Sequence, residues 1–283
     1  MGGETVTLVT LGNSMRIGII SDVHGNLEAL QTVLADIDTK GVDGIVSLGD
    51  IIGYGPDPVA CVDLVAKRCK WSLMGNHDYA VMYEPTNFNK AAEDAAFWTR
   101  EQFEAEAKRD RDEAIKRWEF LGKLRVRVAM GPFLCVHGSP RRPINEYIFP
   151  EDAEKSKMAQ IFERIDKFCM VGHTHVPGVF TGDNEFYKPH EMNFVYEFNH
   201  KEKAIINPGS VGQPRDSDKR ASYVILDMKV ETIESKDAKA QEVMTAERAH
   251  FYRLDYPIQP VVDKIHAIKE LSDWLGDRLL EGR

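Results

Sequence analysis

The chain has 283 residues, 43% of them hydrophobic, enough to bury a full core in one large domain or two small ones. A formal charge of −9 argues against a protein that wraps nucleic acid through its general surface, because neutralising phosphates needs clustered Lys and Arg. No apolar run approaches the ~20 residues needed to cross a bilayer. The four cysteines, Cys61, Cys69, Cys135 and Cys169, form no CxxC pair, and nothing resembles a secretory leader, so a soluble protein of the reducing cytoplasm is expected.

Residues 1–14 read as an N-terminal extension, a disordered tail before a first strand that starts at Met15. After the apolar run Ile17 to Ile20, Asn26 can cap a helix whose Leu27, Leu30, Val33, Leu34 and Ile37 share one face, with Gly41 closing it. A second β-α unit follows: strand Ile45 to Leu48, a glycine-rich loop, then Asp57 and Pro58 as cap and first turn of a helix. Strand Trp71 to Met74 comes next. Residues 88–121 are rich in Ala, Glu, Arg and Lys without glycine, which predicts one or two helices, a helical elaboration over 82–122. From there the pattern turns to β: Val126 to Met130, Phe133 to Val136, Phe168 to Val171, Val179 to Thr181, Phe194 to Phe198, Ala204 to Ile206 and Tyr223 to Leu226. The polar stretch 229–248 reads as a loop or a long hairpin, followed by a strand at His250 to Tyr256 and a helical portion from Val261 to Leu280. No Pro/Gly-rich linker divides the chain, so 15–283 is expected to be one domain.

Five short motifs follow directly on five of these apolar runs: Asp22-Val23-His24, Gly49-Asp50, Gly75-Asn76-His77-Asp78, His137-Gly138-Ser139-Pro140 and Gly172-His173-Thr174-His175. Strand exits are where α/β active sites gather, and this set of imidazoles and oxygen donors is enough to hold two metal ions. Each motif alone is weak: Asp after a strand usually caps a turn, and His24 or His137 alone reads as a satisfied interior histidine. His173 and His175 alternate on one segment, so an extended backbone would point both to the same face. His190, His200, His250 and His266 lack such company and read as surface residues.

The order and placement of the motifs, with GDIIGYGPDP, VHGSP, GHTHVP and INPGSVGQPRD, resemble the calcineurin-like metallophosphoesterases, specifically a bacterial and archaeal phosphoesterase branch, from Met15 to about Tyr256. The resemblance implies an α/β fold, a four-layer α/β/β/α sandwich of two mixed β-sheets. It assigns Asp22, His24, Asp50 and His175 to one metal and Asp50, Asn76, His137 and His173 to the other, with Asp50 bridging. Manganese or an iron-containing pair is expected, with Zn or Ni also compatible with the donors. A hydroxide bridging the pair would attack phosphorus in line, and His77, the motif's non-ligand histidine, would protonate the leaving oxygen.

Arg141 and Arg142, just after the His137 motif, are candidates to grip phosphate, with Arg215 a weaker one; the alternative is a solvated loop. Gly53 and Gly55 flank Tyr54 in a loop that shapes either a pocket wall or a tight turn. Serine/threonine phosphatases of the superfamily carry GDxVDRG, but here Gly53 and Tyr54 replace its second Asp and Arg, which disfavours protein phosphatase activity. Asp57 or Asp78 remains a possible carboxylate partner for His77. A phosphodiesterase is modestly favoured over a phosphomonoesterase or a dinucleoside polyphosphate hydrolase. A non-catalytic scaffold of this fold would be expected to lose ligands that are all present here, and a repair nuclease would need a basic track.

Overall fold

A computed structural model of the chain describes residues 7–8, 13–235 and 238–283. In chain order it has β1 (Thr7–Leu8), β2 (Asn13–Ile20), α1 (Leu27–Asp38), β3 (Gly44–Ser47), α2 (Pro58–Arg68), β4 (Cys69–Ser72), α3 (Asn76–Met82), α4 (Lys90–Arg109), α5 (Arg111–Gly122), β5 (Arg127–Met130) and β6 (Phe133–Val136). There follow α6 (Ser156–Phe162), β7 (Phe168–Met170), β8 (Gly178–Thr181), β9 (Phe186–Tyr187), β10 (Val195–Glu197), β11 (Ala204–Asn207), β12 (Ala221–Ser235), β13 (Ala238–Leu254), α7 (Ile258–Ala267) and α8 (Trp274–Glu281).

Two mixed sheets carry the molecule. One runs β10-β13-β12-β2-β3-β4, with β1 on β12; the other runs β5-β6-β7-β11-β8-β9. Alternation along the strands sorts their side chains into layers. Ile17, Ile19, Val46 and Leu48 of the first sheet meet Phe133, Cys135, Phe168 and Met170 of the second in an inner core. Ile20 and Ile45 face the other way, onto Leu30, Val33 and Ile37 of α1 and Val62 and Val65 of α2, with α3, α4, α7 and α8 in the same layer. Behind the second sheet, Val136, Cys169 and Ile205 pack on Met158 and Ile161 of α6. The result is the four-layer α/β/β/α sandwich.

Several expectations change in detail. The first strand begins at Asn13, and Thr7–Leu8 pairs antiparallel with Ile233 and Glu234, so part of the supposed tail is strand; residues 1–6 and 9–12 lie outside those described. The stretch 229–248 takes the hairpin form: β12 and β13 pair over most of their length, absorbing both shorter strands predicted on either side. The C-terminal helical portion consists of two helices, α7 and α8. Asp57 precedes α2 but makes no side-chain cap; its carboxylate accepts from Lys264 Nζ at 2.8 Å. Pro58 brings no N–H to the first turn, so the helix has one donor fewer to satisfy there. Asn26 does cap α1, accepting from the Ala29 N–H at 3.1 Å.

Candidate metal centre

β2, β3 and β4 are parallel neighbours in one sheet, and β6 and β7 are parallel neighbours in the other. All five motifs leave the carboxyl ends of these strands. The chain then has to turn abruptly, and it does so on non-glycine residues: Asp22, His24, Asp50, His173 and His175 all have positive φ, between 48° and 68°. Left-handed backbone at a non-glycine residue costs on the order of 1–3 kcal/mol and persists only where the surroundings over-determine it. This corrects the expectation for His173 and His175: two successive left-handed kinks, rather than strand alternation, set both imidazoles in the cluster.

The side chains meet in two overlapping groups that can each hold a metal ion, Asp22, His24, Asp50 and His175 in one and Asp50, His137 and His173 in the other, with donor atoms within 4.8 Å of one another. Asp50 is common to both. Asn76, an amide rather than a charged donor, adds its Oδ1 at 3.3 Å from His137 Nε2. Each of these residues is buried.

Tautomers follow from the outer contacts. Nδ1–H of His137 donates to the Leu48 carbonyl at 2.9 Å, that of His24 to Ile52 at 3.3 Å and that of His175 to Gln213. With Nδ1 so engaged, each Nε2 lone pair points inward. Acceptors then face acceptors. Nε2 of His24 lies 3.1 Å from Nε2 of His175, Nε2 of His137 lies 3.3 Å from Asp50 Oδ2, and the buried Nε2 of His173 has no partner among the described residues. Such an arrangement is costly without something positive among the lone pairs. The donor chemistry, imidazole and carboxylate without thiolate, fits a pair of divalent cations.

Electrostatics point the same way. Burial alone would push Asp22 and Asp50 up, but His175 beside Asp22, and His137 and His77 near Asp50, hold both carboxyls below the usual range. Burial pulls His24 well down and His173 to about 3, the latter helped by the charge of His137. His137 goes the other way: burial lowers it, but Asp50 overrides this and lifts it to about 9, so a proton there does in part what a cation would do.

His77 opens α3, where its backbone N–H donates to Asp50 Oδ1 at 2.8 Å. Its ring packs on Tyr54 (4.2 Å between centroids), Phe88 (4.6 Å) and edge-on to His24 (4.8 Å), and its buried Nδ1 has no partner among the described residues. Burial lowers it to about 4 against the pull of Asp50. Neither suggested carboxylate orients it: Asp57 pairs with Lys264, and Asp78 is turned to the backbone. Asp78 accepts from four N–H groups, Asp50 at 2.8 Å and Gly75 at 3.0 Å on Oδ2, Ile51 at 3.0 Å and Ile52 at 3.3 Å on Oδ1, and so ties the Asp50 loop to α3. What shapes the His77 position is Gly53, where a Cβ would stand 2.6 Å from His77 Nδ1.

The two arginines named first from sequence have their hydrogen-bond partners in their own loop and on α6. Arg141 is bound to Glu146 and Gln160, and Arg142 is exposed, its backbone N–H donating to Ser139 Oγ. Arg215, the weaker candidate, is nearer: its guanidinium lies 5.8 Å from the Tyr54 ring centroid, and its charge bears on His77 and His175. Tyr147, unremarked in the sequence, stacks on His173 with centroids 3.6 Å apart and carries Phe149 on a parallel plane. Of the four remaining histidines, His190, His200 and His266 are exposed, but His250 is half-buried on Asp227 at 2.7 Å.

The Calcineurin-like phosphoesterase superfamily domain matches residues 15–231. The chain belongs to that superfamily. It is similar to the crystal structure of a metallophosphoesterase from Sphaerobacter thermophilus, with 38% identity, 96% of this chain and 100% of that one covered, and a TM-score of 0.75. It is also 36% identical over 271 residues to an uncharacterized protein of Methanocaldococcus jannaschii, covering 94% of this chain and 98% of the other. Membership of the calcineurin-like phosphoesterases accounts for the two sheets, for the five strand-exit motifs and for a buried cluster able to hold two metals.

Proposed function

We propose that this calcineurin-like phosphoesterase is a dimetal hydrolase of phosphate esters, with phosphodiesters favoured and phosphomonoesters and dinucleoside polyphosphates the other substrate classes to be tested. In this reading Asp22, His24, Asp50 and His175 hold one divalent cation, and Asp50, Asn76, His137 and His173 hold the other. The observation that carries it is the convergence of imidazole Nε2 lone pairs and carboxylate oxygens on the same buried space, each imidazole of His24, His137 and His175 fixed by a backbone carbonyl. When bound, such a pair supplies charge for the phosphoryl oxygens and acidifies water to a nucleophile at neutral pH. Manganese or an iron-containing pair suits the donors, as do Zn and Ni.

The chain's own groups do the rest. His77, buried beside Asp50 but outside both metal groups, delivers a proton to the leaving oxygen and steadies its developing charge. The low intrinsic basicity that burial gives it makes it a strong acid once protonated. Phe88 and Tyr54 on its faces exclude water from that transfer. The exposed rings of Tyr147 and Phe149, starting from His173, offer a surface for the second substituent of a diester.

Among the described residues no helix is long and apolar enough to cross a membrane. The four free cysteines suit a reducing cytoplasm, and the acidic balance disfavours a stable nucleic-acid complex. The test is a panel of phosphomonoesters, phosphodiesters and dinucleoside polyphosphates against metal-reconstituted protein. Turnover of diesters above the other classes supports the reading, and no metal-dependent turnover of any ester overturns it.

A further inference from the structure

His77 has to present a proton to the leaving oxygen, yet its buried Nδ1 has no partner among the described residues, and neither Asp57 nor Asp78 orients the ring. Its position is set by what the ring packs on and by the backbone that carries it. At the front, α3 is tied down twice: the His77 N–H donates to Asp50 Oδ1 at 2.8 Å, and Asp78 holds Gly75 and the Asp50 loop. The far end of this seven-residue helix has less of its own, for its last turn carries no basic residue, and the last carbonyls of any helix lack donors within it.

Arg100 of α4 supplies the donors. Its Nε–H donates to the Val81 carbonyl at 2.7 Å, and its Nη2 donates to the carbonyls of Ala80 at 3.1 Å and Tyr83 at 2.6 Å. Arg16, Arg117 and Arg141 hold carboxylates, whereas the half-buried Arg100 makes no ion pair among the described residues and gives its hydrogen bonds to main chain alone. Three carbonyls on one planar cation set both a direction and a charge at the negative end of the helix. The third carbonyl matters for a second reason. Tyr83 starts the segment 83–89 that brings Phe88 onto the His77 ring, centroids 4.6 Å apart, before Asn89 caps α4 by accepting from the Ala92 N–H at 2.9 Å. One side chain thus fixes the end of the helix that carries His77 and the start of the segment that covers it.

We propose that Arg100 is a positioning residue for His77, so that the helical insertion braces the general acid rather than only elaborating the fold. This rests on the phosphate-ester reading and on His77 as its proton donor. Arg100 touches no reacting atom; it acts through the last turn of α3 and through Phe88. Asn76, at the anchored front of α3, keeps its place when Arg100 is changed, so metal binding and proton delivery come apart.

The test uses the p-nitrophenyl and phenyl members of the ester class that the protein hydrolyses: p-nitrophenolate leaves readily without a proton, and phenolate depends on one. In Arg100→Met the ratio of kcat on the p-nitrophenyl ester to kcat on the phenyl ester rises by about tenfold, with KM and metal content unchanged, because a misplaced acid slows the ester that needs it. Arg100→Lys keeps the charge without the fork, so its ratio rises by less, about threefold, and it decides the matter if Arg100→Met does not fold. An unaltered ratio overturns the proposal, and so does an equal loss on both esters or a loss of metal, which would make Arg100 a support of the fold as a whole. Turnover of no ester by the unmodified protein removes the hydrolase reading and leaves the placement to a second measurement, NMR of histidine-labelled protein. There the His77 ring signals, identified by their loss in His77→Gln, move or broaden in Arg100→Met while those of His200 and His250 stay. Unmoved His77 signals reject the brace, and movement of all three, a global change, rejects it too.

Discussion

Asp78→Asn is the substitution that most directly probes how the cluster is held in shape. Asp and Asn have nearly the same volume, so packing is unchanged and only the hydrogen-bond chemistry differs. Each carboxylate oxygen of Asp78 accepts from two backbone N–H groups, Asp50 and Gly75 on one, Ile51 and Ile52 on the other. An asparagine can keep one oxygen in place, but its NH2 then faces two buried donors. At about 1–3 kcal/mol for each orphaned buried group, the loss is ~2–6 kcal/mol. Burial and the charge of Asp50 push Asp78 up, to about 7 even with the backbone N–H groups of Gly75 and Ile52 pulling it down, so those N–H groups favour the carboxylate against its surroundings. Because two of the four belong to Asp50 and Ile51, the residue shared by both metal groups moves with the loop. Urea unfolding monitored by circular dichroism gives the stability change, and metal analysis after dialysis gives the second readout. A midpoint shift corresponding to less than about 1 kcal/mol, with metal retained, refutes the reasoning.

His77→Ala is expected to keep its metal content while hydrolysis of an ester with a poor leaving group drops by about a hundredfold or more; unchanged turnover rejects the assigned role. Gly53→Ala puts a Cβ 2.6 Å from His77 Nδ1 at a φ of +87°, so activity should fall by about tenfold or more without loss of metal. Gly41→Ala, at φ +64° with nothing within 4 Å, should cost only ~1 kcal/mol of backbone strain and leave turnover intact, and equal activity losses in the two would sink the steric argument. Asp227 is a pH probe away from the site. Burial pushes its carboxyl up, but hydrogen bonds from His250 (2.7 Å) and Arg16 (2.9 Å) outweigh it and hold the group below its ordinary 3.8. A depressed carboxyl stabilises above its unfolded value and loses that contribution as pH falls through the folded one, so Asp227→Asn should lower the urea midpoint at about pH 7 and the gap to the unmodified protein should narrow progressively as the pH is taken below about 4. A gap that persists in acid would assign the effect to packing.

What was legible in the sequence was whatever sits beside a strand end. Asp22, Asp50, His137 and His173 each follow an apolar run within a few residues, so order along the chain already placed them at sheet edges, and the spacing of Leu30, Val33 and Ile37 marked α1. The pairing of two sheets came from the resemblance alone. Roles set by distant backbone stayed hidden: Asp78 looks like an ordinary first-turn acid until the Asp50 loop folds onto it, and no spacing foretells left-handed φ at five site residues. Arg141 looked like a phosphate ligand because it follows His137, but Glu146, five residues on, claims it first. The β12–β13 hairpin was obscured by its charged residues, which sit on strands that run beyond β2, whose pairing with β12 ends at Val230.

The central claim is that Asp50 joins two metal positions in one centre. Equilibrium metal titration of the unmodified chain and of Asp50→Asn, with the positions located by anomalous diffraction, tests it most directly. The account predicts two ions per chain in the unmodified protein, on either side of Asp50, and a joint weakening of both in the variant. A single ion, ions bound elsewhere, or loss of only one in Asp50→Asn would contradict it.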